Sequence, residues 1–229
     1  MSKSEVPSPS KRDEILDAAE RMIRMGGYNG FSTRDIAAAV GIKAASVHYH
    51  FPTKAGIGAA VIERYTQRFL EELGDPTNFR GPKKAIAHYV GAFRRALARD
   101  GKVCLCGVLG AEIGGLPADV GAGTQIFFEK NLEWLKNALA ASGGLSEAKA
   151  LSRATLMLAA LEGALILSKS LGNDVVFERI GEGLLKMVLD ERFSRCSVGA
   201  PLHPAYRLPG QACAVAWYTI VRLQRRPSA

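Results

Sequence analysis

The 229-residue chain is short of the groups from which catalytic and disulfide-bonded proteins are built: four His, four Cys, two Trp and 7% aromatic residues in all. Four cysteines (Cys104, Cys106, Cys196, Cys213) in a chain of this length do not make a disulfide framework, and in a reducing compartment they are expected as thiols. Glu-x-x-His pairs, which a di-iron helical enzyme carries on its bundle helices, do not occur. Period-2 alternation of apolar and polar residues is missing too, which argues against a sheet. The most apolar run, Ala154 to Ser168, is interrupted by Glu162 and reads as too short to span a bilayer. The first ten residues, MSKSEVPSPS, lack the apolar centre of a signal peptide, so a cytoplasmic location with no membrane partner is the expectation.

Acidic residues are missing from one region only. The net charge of +8 is unevenly spread: residues 1–55 carry +2, residues 56–191 are neutral, and residues 192–229 hold six arginines and no acid. The basic balance therefore says little about a polyanionic partner for the body of the chain. A hydrophobic fraction of 48% against 23% charged residues is that of a folded globular protein.

Cap, glycine and proline signals divide the chain into about nine helices, an all-α architecture. Arg12 to Met25 is amphipathic, with Ile15, Ala19, Met22 and Ile23 on one stripe, and Gly26 and Gly27 end it. Ser32 followed by Asp35 predicts a capping box opening a helix from Thr33 to Val40. Gly41 supplies a turn into a helix from Lys43 to His50, which Pro52 stops. Thr53 caps a longer helix to Leu73. Pro82 to Arg99, Cys104 to Ile113, Ala118 to Ala141, Ser146 to Leu171 and Asn173 to Phe193 follow as an antiparallel bundle. The expected domains are 1–55, a helix-turn-helix with a short N-terminal arm, 56–193, a bundle, and 194–229, a basic, Pro-containing appendage.

Two short helices joined by a glycine turn and braced by a third helix make the unit that lays its last helix in the major groove. On that helix Ala44, Val47 and Phe51 share an inner face, while Ala45 and Tyr49 point the other way and Ser46 and His48 lie between. Small Ala44 and Ala45 allow close approach to the groove, and Ser46, His48 and Tyr49 offer hydrogen bonds to base edges or phosphates. Thr33, Arg34, His50 and Lys54 sit at helix ends, where phosphates are commonly held. A metal site at His48 and His50 is not expected, because residues two apart on a helix diverge by roughly 200°.

The run FSTRDIAAAVGIKAASVHYHFPTKAGI, with its Thr-Arg-x-x-Ala step, Gly-Ile turn and Tyr-x-Phe-x-x-Lys close, resembles the N-terminal domain of the TetR family of transcriptional repressors over about Arg12 to Ile62. The resemblance implies double-stranded DNA contacts at Thr33, Arg34, Lys43, Ala44, Ala45, Ser46, His48, Tyr49, His50 and Lys54. His48 departs from the tyrosine most common there. It further implies no enzyme activity and no cofactor, a homodimer formed by the last two long helices, and a small-molecule effector bound among the bundle helices.

For the dimer, Leu158, Leu161, Leu165 and Ser168 on one helix and Ile180, Leu184 and Met187 on the next are the candidates, with an intramolecular core as the alternative. For the effector pocket, His88, Tyr89, Phe93, Phe127, Phe128, Trp134 and Met157 offer aromatic walls and polar handles. Cys104 and Cys106 begin a helix whose dipole favours thiolate, which makes oxidant or electrophile sensing conceivable; buried thiol is the commoner state of such cysteines. The glycines at 107, 110, 114 and 115 follow no strand and precede no lysine in nucleotide-loop spacing, so close helix packing explains them better. An architectural DNA binder without an effector is the competing reading.

Overall fold

The computed structural model describes residues 10–100, 103–141 and 144–189; the side chains of residues 99, 100 and 187–189 also lie outside the description. The appendage from 194 onward, its arginines and the Met187 side chain therefore fall outside the described residues. Among them are nine α-helices and no strand: α1 (Lys11–Gly26), α2 (Thr33–Val40), α3 (Ala44–His50), α4 (Lys54–Leu73), α5 (Pro82–Asp100), α6 (Leu105–Ala111), α7 (Ala118–Ala140), α8 (Glu147–Leu171) and α9 (Val175–Leu189).

Local chemistry sets the helix ends. At α2 the Ser32 hydroxyl accepts from the Asp35 amide while the Asp35 carboxylate accepts from the Ser32 amide at 2.7 Å, closing the capping box. Gly41 ends α2 at φ 71°, in the left-handed region where a side chain is strained, and its N–H returns to the carbonyls of Ala37 and Ala38. The Thr53 hydroxyl caps α4 by accepting from the Gly56 amide at 3.0 Å.

α1, α2 and α3 close over Ile15, Leu16, Ala19, Ile23, Ile36 and Val47, all essentially inaccessible. α4 packs on α1 at one end and on α5, α6 and α7 along the rest, so it belongs to both halves. α7 carries the bundle core, with Phe127, Leu135 and Ala138 fully buried, and α8 lies on α7 and α9. Ion pairs fasten α1 to α4: Arg64 reaches Asp17 at 2.7 Å and Glu20 at 3.7 Å, and Arg68 also meets Glu20.

α8 differs from the sequence reading in its apolar length and in which of its faces lies open. Its 25 residues include an 18-residue window of mean hydropathy 1.6, long and apolar enough to cross a bilayer by length and composition, with 39% of that window buried inside the chain. It is apolar on both sides. Leu158, Leu161, Leu165 and Ser168 face inward, all 5% exposed or less, and Leu184 of α9 is buried with them while Ile180 is half-buried. Side chains already enclosed by their own chain offer almost no area to a second copy. The outward face of α8 instead carries Leu151, Leu156, Ile166, Leu167 and Leu171, between 44% and 66% exposed.

Candidate DNA-reading face and sensor core

The reading face is built on α3 by its own burial pattern. Val47 is fully buried and Phe51, just after the helix, is 5% exposed, with the Arg12 guanidinium 5.0 Å above its ring. These contacts turn the opposite side outward. Tyr49 is 85% exposed, Ala45 and His48 are exposed, and Ser46 and His50 are half-buried at the edge. A hollow of about 420 Å³ runs along this side, lined by Lys11, Ile42, Ala45, Ser46, Tyr49 and His50. The structure thus gathers Ala45, Ser46, Tyr49 and His50, with Arg34 and Lys43 exposed and Thr33 half-buried nearby in the chain. It adds Lys11 and Ile42, which the helix pattern alone did not single out because they lie before α1's apolar stripe and in the turn.

Lys54 is set apart from that group. Its ammonium lies 4.7 Å from the Tyr28 ring and 4.5 Å from the Phe31 ring, and burial pulls its pKa below the ordinary lysine value against the opposing pull of Asp35 and Glu112. In this position Lys54 pins the start of α4 to the turn after α1.

In the bundle the candidate pocket residues form one aromatic cluster, with Tyr89, Phe93 and Phe127 at 2% exposure or less, Trp134 at 6% and Phe128 half-buried at its edge. Phe69 of α4 joins it, 5.5 Å from Phe93 and 5.9 Å from Phe127, and Tyr65 lies 5.6 Å from Phe127. Met157 of α8 is fully buried as well. The polar handles are mostly spoken for: Tyr89 Oη donates to Asn131 Oδ1 at 2.7 Å, Trp134 Nε1 donates to the Gly74 carbonyl at 2.7 Å, and His88 Nε2 donates to the Glu72 carbonyl at 3.0 Å.

Cys104 and Cys106 are buried thiols beside this cluster. The expectation of a helix start favouring thiolate is reversed: α6 begins one residue later, at Leu105, and enclosure drives both thiols well above their usual pKa, with the Glu162 carboxyl pushing the same way. Tyr65 Oη donates to Cys104 Sγ at 3.6 Å. Glu162, which in the sequence only interrupts an apolar run, is enclosed here. Its Oε2 fits against Gly107 so closely that a Cβ there would stand 2.5 Å away, while Oε1 is buried with no hydrogen-bond partner. Burial lifts this carboxyl from the ordinary 4.5 to about 7.

The two halves also meet away from α4. Arg24 Nε donates to the Val103 carbonyl at 2.9 Å, and the Tyr28 amide donates to Glu112 Oε2 at 2.9 Å. Gly27, at φ 77°, accommodates Glu112 where a Cβ would collide with it at 1.9 Å. Among the described residues no group of three His, Cys, Asp or Glu is placed to hold a metal ion.

Residues 15–61 match the family of bacterial regulatory proteins of the tetR family, and residues 82–183 match the C-terminal domain of LmrA/YxaF-like transcriptional regulators. A TetR transcriptional regulator from Legionella pneumophila is 32% identical, with 80% of this chain aligned to 99% of that one at a TM-score of 0.75. The chain belongs to the TetR family. A TetR-family regulator from Agrobacterium tumefaciens is 30% identical at a TM-score of 0.71, over 77% of this chain and 96% of that one. The HTH-type transcriptional repressor ComR of Escherichia coli (strain K12) is 36% identical over 63 residues, a match of 28% of this chain to 30% of that relative. As a TetR-family member the chain is a DNA-binding transcription regulator, with α1 to α3 its helix-turn-helix and the bundle its ligand-binding domain.

Proposed function

We propose that the chain is a repressor that binds a palindromic operator as a homodimer in the cytoplasm and is released by a small molecule taken up in the bundle. The exposed side of α3 carries this reading: Tyr49, at 85% exposure, adds almost no buried area to the fold, and it stands beside Ser46 and His48 on the helix that enters the groove. Residues 1–55 read and residues 56–193 sense in this division of labour.

The outward apolar face of α8 supports the homodimer. Leu156, Ile166 and Leu167 on a helix already buried on its other side present the kind of patch that a two-fold copy covers. Pairing also sets two α3 helices toward half-sites one DNA turn apart, about 34 to 36 Å. Release follows from differential affinity: an effector that prefers a bundle with α4 and α6 displaced draws α1 along through the Arg64 and Arg68 ion pairs and the Glu112 and Arg24 bonds, changing the spacing of the reading helices. Release by thiol modification is the weaker route, because both cysteines are enclosed and held protonated.

A mobility-shift titration with the DNA upstream of the chain's own coding sequence tests the reading. A discrete complex competed by a palindrome and weakened at least tenfold by Tyr49→Ala supports it, whereas binding that no sequence improves points to the architectural alternative.

A further inference from the structure

Helix α6 has seven residues, and it is bonded to the reading half on both flanks. Before it, the Val103 carbonyl accepts from Arg24 Nε at 2.9 Å; after it, Glu112 accepts from the Tyr28 amide at 2.9 Å and fills the space left by Gly27. Between those two bonds α6 meets the Glu162 carboxyl of α8 at Gly107, where a Cβ would stand 2.5 Å from Oε2. The acid therefore rests on the backbone of α6 itself.

Glu162 is enclosed with its other oxygen, Oε1, unpartnered. The groups around it are not arranged to meet a negative charge there. The Tyr89 hydroxyl of α5 already donates to Asn131 Oδ1 at 2.7 Å, and the Tyr65 hydroxyl of α4 to Cys104 Sγ at 3.6 Å. The Cys104 thiol, a weak donor, hydrogen-bonds the carboxyl, and Cys106 of α6 lies within reach of its charge. Among the described acids and bases of α7 and α9, which also pack on α8, Lys136 and Glu178 are half-buried and the rest exposed; Lys136 pairs with Glu133 and Glu147, and Glu178 with Arg94. On α8 itself the buried Arg153 lies about 13 Å back along the axis and on the opposite side. A neutral acid is tolerated in such an enclosure. An anion is not, unless a partner or water comes to it. Burial brings the crossover to about 7.

We infer that the charge on Glu162 sets the position of α6 and, through it, the grip on DNA. Neutral, the carboxyl stays seated on Gly107 and both flanking bonds hold. When its proton passes to solvent, the carboxylate draws water to Oε1, α6 gives way at Gly107 to admit it, and Val103 and Glu112 shift away from Arg24 and Tyr28. α6 is the element that yields because it is short and meets the acid with backbone alone, whereas α5 is held in place by the Tyr89 to Asn131 bond. DNA binding accordingly weakens as pH rises through neutrality, with no small molecule involved. The DNA half of this inference rests on the operator binding proposed for the chain; the movement of α6 does not.

Hydrogen exchange followed by mass spectrometry on the full chain, wild type against Glu162→Gln at matched pH, reads α6 without DNA. At pH 6 the two proteins are expected to exchange residues 103–112 at the same rate. At pH 8.5 the wild type is expected to exchange them at least tenfold faster, with α9 alike in both. Gly107→Ala, whose Cβ takes the space of the carboxyl, is expected to show the fast α6 exchange already at pH 6. Fluorescence anisotropy on the upstream palindrome is expected to give equal affinities at pH 6 and at least fivefold weaker binding by the wild type at pH 8.5; any contribution of His48 and His50 on α3 is common to both proteins and cancels. Equal α6 exchange in the two proteins at pH 8.5, or a difference spread evenly over α6 and α9, overturns the inference, and so does an α6 response that leaves the two affinities equal. If neither protein forms a sequence-specific complex, the operator reading fails, and the exchange comparison still decides the movement of α6.

Discussion

The two halves of the molecule use their side chains in opposite ways. In α3 the residues proposed for recognition, Ala45, Ser46, His48 and Tyr49, are outside the core, and Val47 with Phe51 holds the helix in place. In the bundle the candidate sensing residues, Tyr89, Phe93, Phe127 and Trp134, are themselves the core. The reading half separates function from stability, and the sensing half does not. A mutation that abolishes DNA binding is therefore interpretable in α3 and ambiguous in the bundle unless stability is measured with it.

The sharpest break comes from Phe127→Ala. The ring is fully buried against Tyr65, Phe69 and Phe128, so its loss is expected to cost about 3 to 5 kcal/mol. Urea unfolding followed by circular dichroism measures it, and a loss under 1 kcal/mol would mean the bundle core is looser than its burial implies.

Next is the pH response of Glu162. Its carboxyl holds a proton up to about 7 in the fold and only to about 4.5 when unfolded, so the folded state binds more protons between those values. The Glu162 contribution to stability is accordingly full below pH 4.5 and is lost as pH rises toward 7, by about 3 kcal/mol for a shift of this size. The pKa values of Tyr65, Tyr89, Cys104 and Cys106 are all pushed upward, away from this window. Unfolding midpoints at pH 5, 6, 7 and 8 are expected to slope downward in the wild type and to lose that component in Glu162→Gln, which gains relative stability at pH 8. Parallel slopes in the two proteins would falsify the assignment.

Ser32→Ala removes one half of the capping box that opens α2 and is expected to cost about 1 kcal/mol. Thermal unfolding reads this directly. Tyr49→Ala closes the series: at 85% exposure its effect on stability is expected within about 0.5 kcal/mol, while specific DNA affinity drops at least tenfold. A loss of stability comparable to Ser32→Ala would show that Tyr49 supports the fold after all.

The same contrast explains what the amino-acid order made legible. α2 follows from Ser32, Asp35 and Gly41 with both ends matched, and the start of α4 from Thr53, because caps are local and each has its own residue signature. α6 is shorter than predicted: its last residue is Ala111, and a separate 3-10 turn takes Ile113–Gly115. The inner stripe of α8, Leu158, Leu161, Leu165 and Ser168, was legible, but a helix apolar all round does not say whether its own chain or a second copy covers that stripe. Tyr65, Phe69 and Asn131 were missed for a different reason. They enter the sensor core from a connecting helix and from a polar position between apolar ones, and only the three-dimensional arrangement joins them to Tyr89 and Phe127. Glu162 carried a visible signal, an acid inside an apolar run, but its meaning depends on the enclosure that α6 provides through Gly107.

The central claim is that two copies of α3 read a two-fold DNA site together. The direct measurement is a fluorescence-anisotropy titration of the wild type and of Ile166→Asp, which charges the exposed face of α8, on the upstream palindrome and on a single half-site. The account predicts that the wild type prefers the palindrome by at least a hundredfold, and that Ile166→Asp remains folded, sediments as a monomer and loses that preference. Equal affinity of the wild type for palindrome and half-site, or an Ile166→Asp protein that stays monomeric yet keeps the preference, would contradict it.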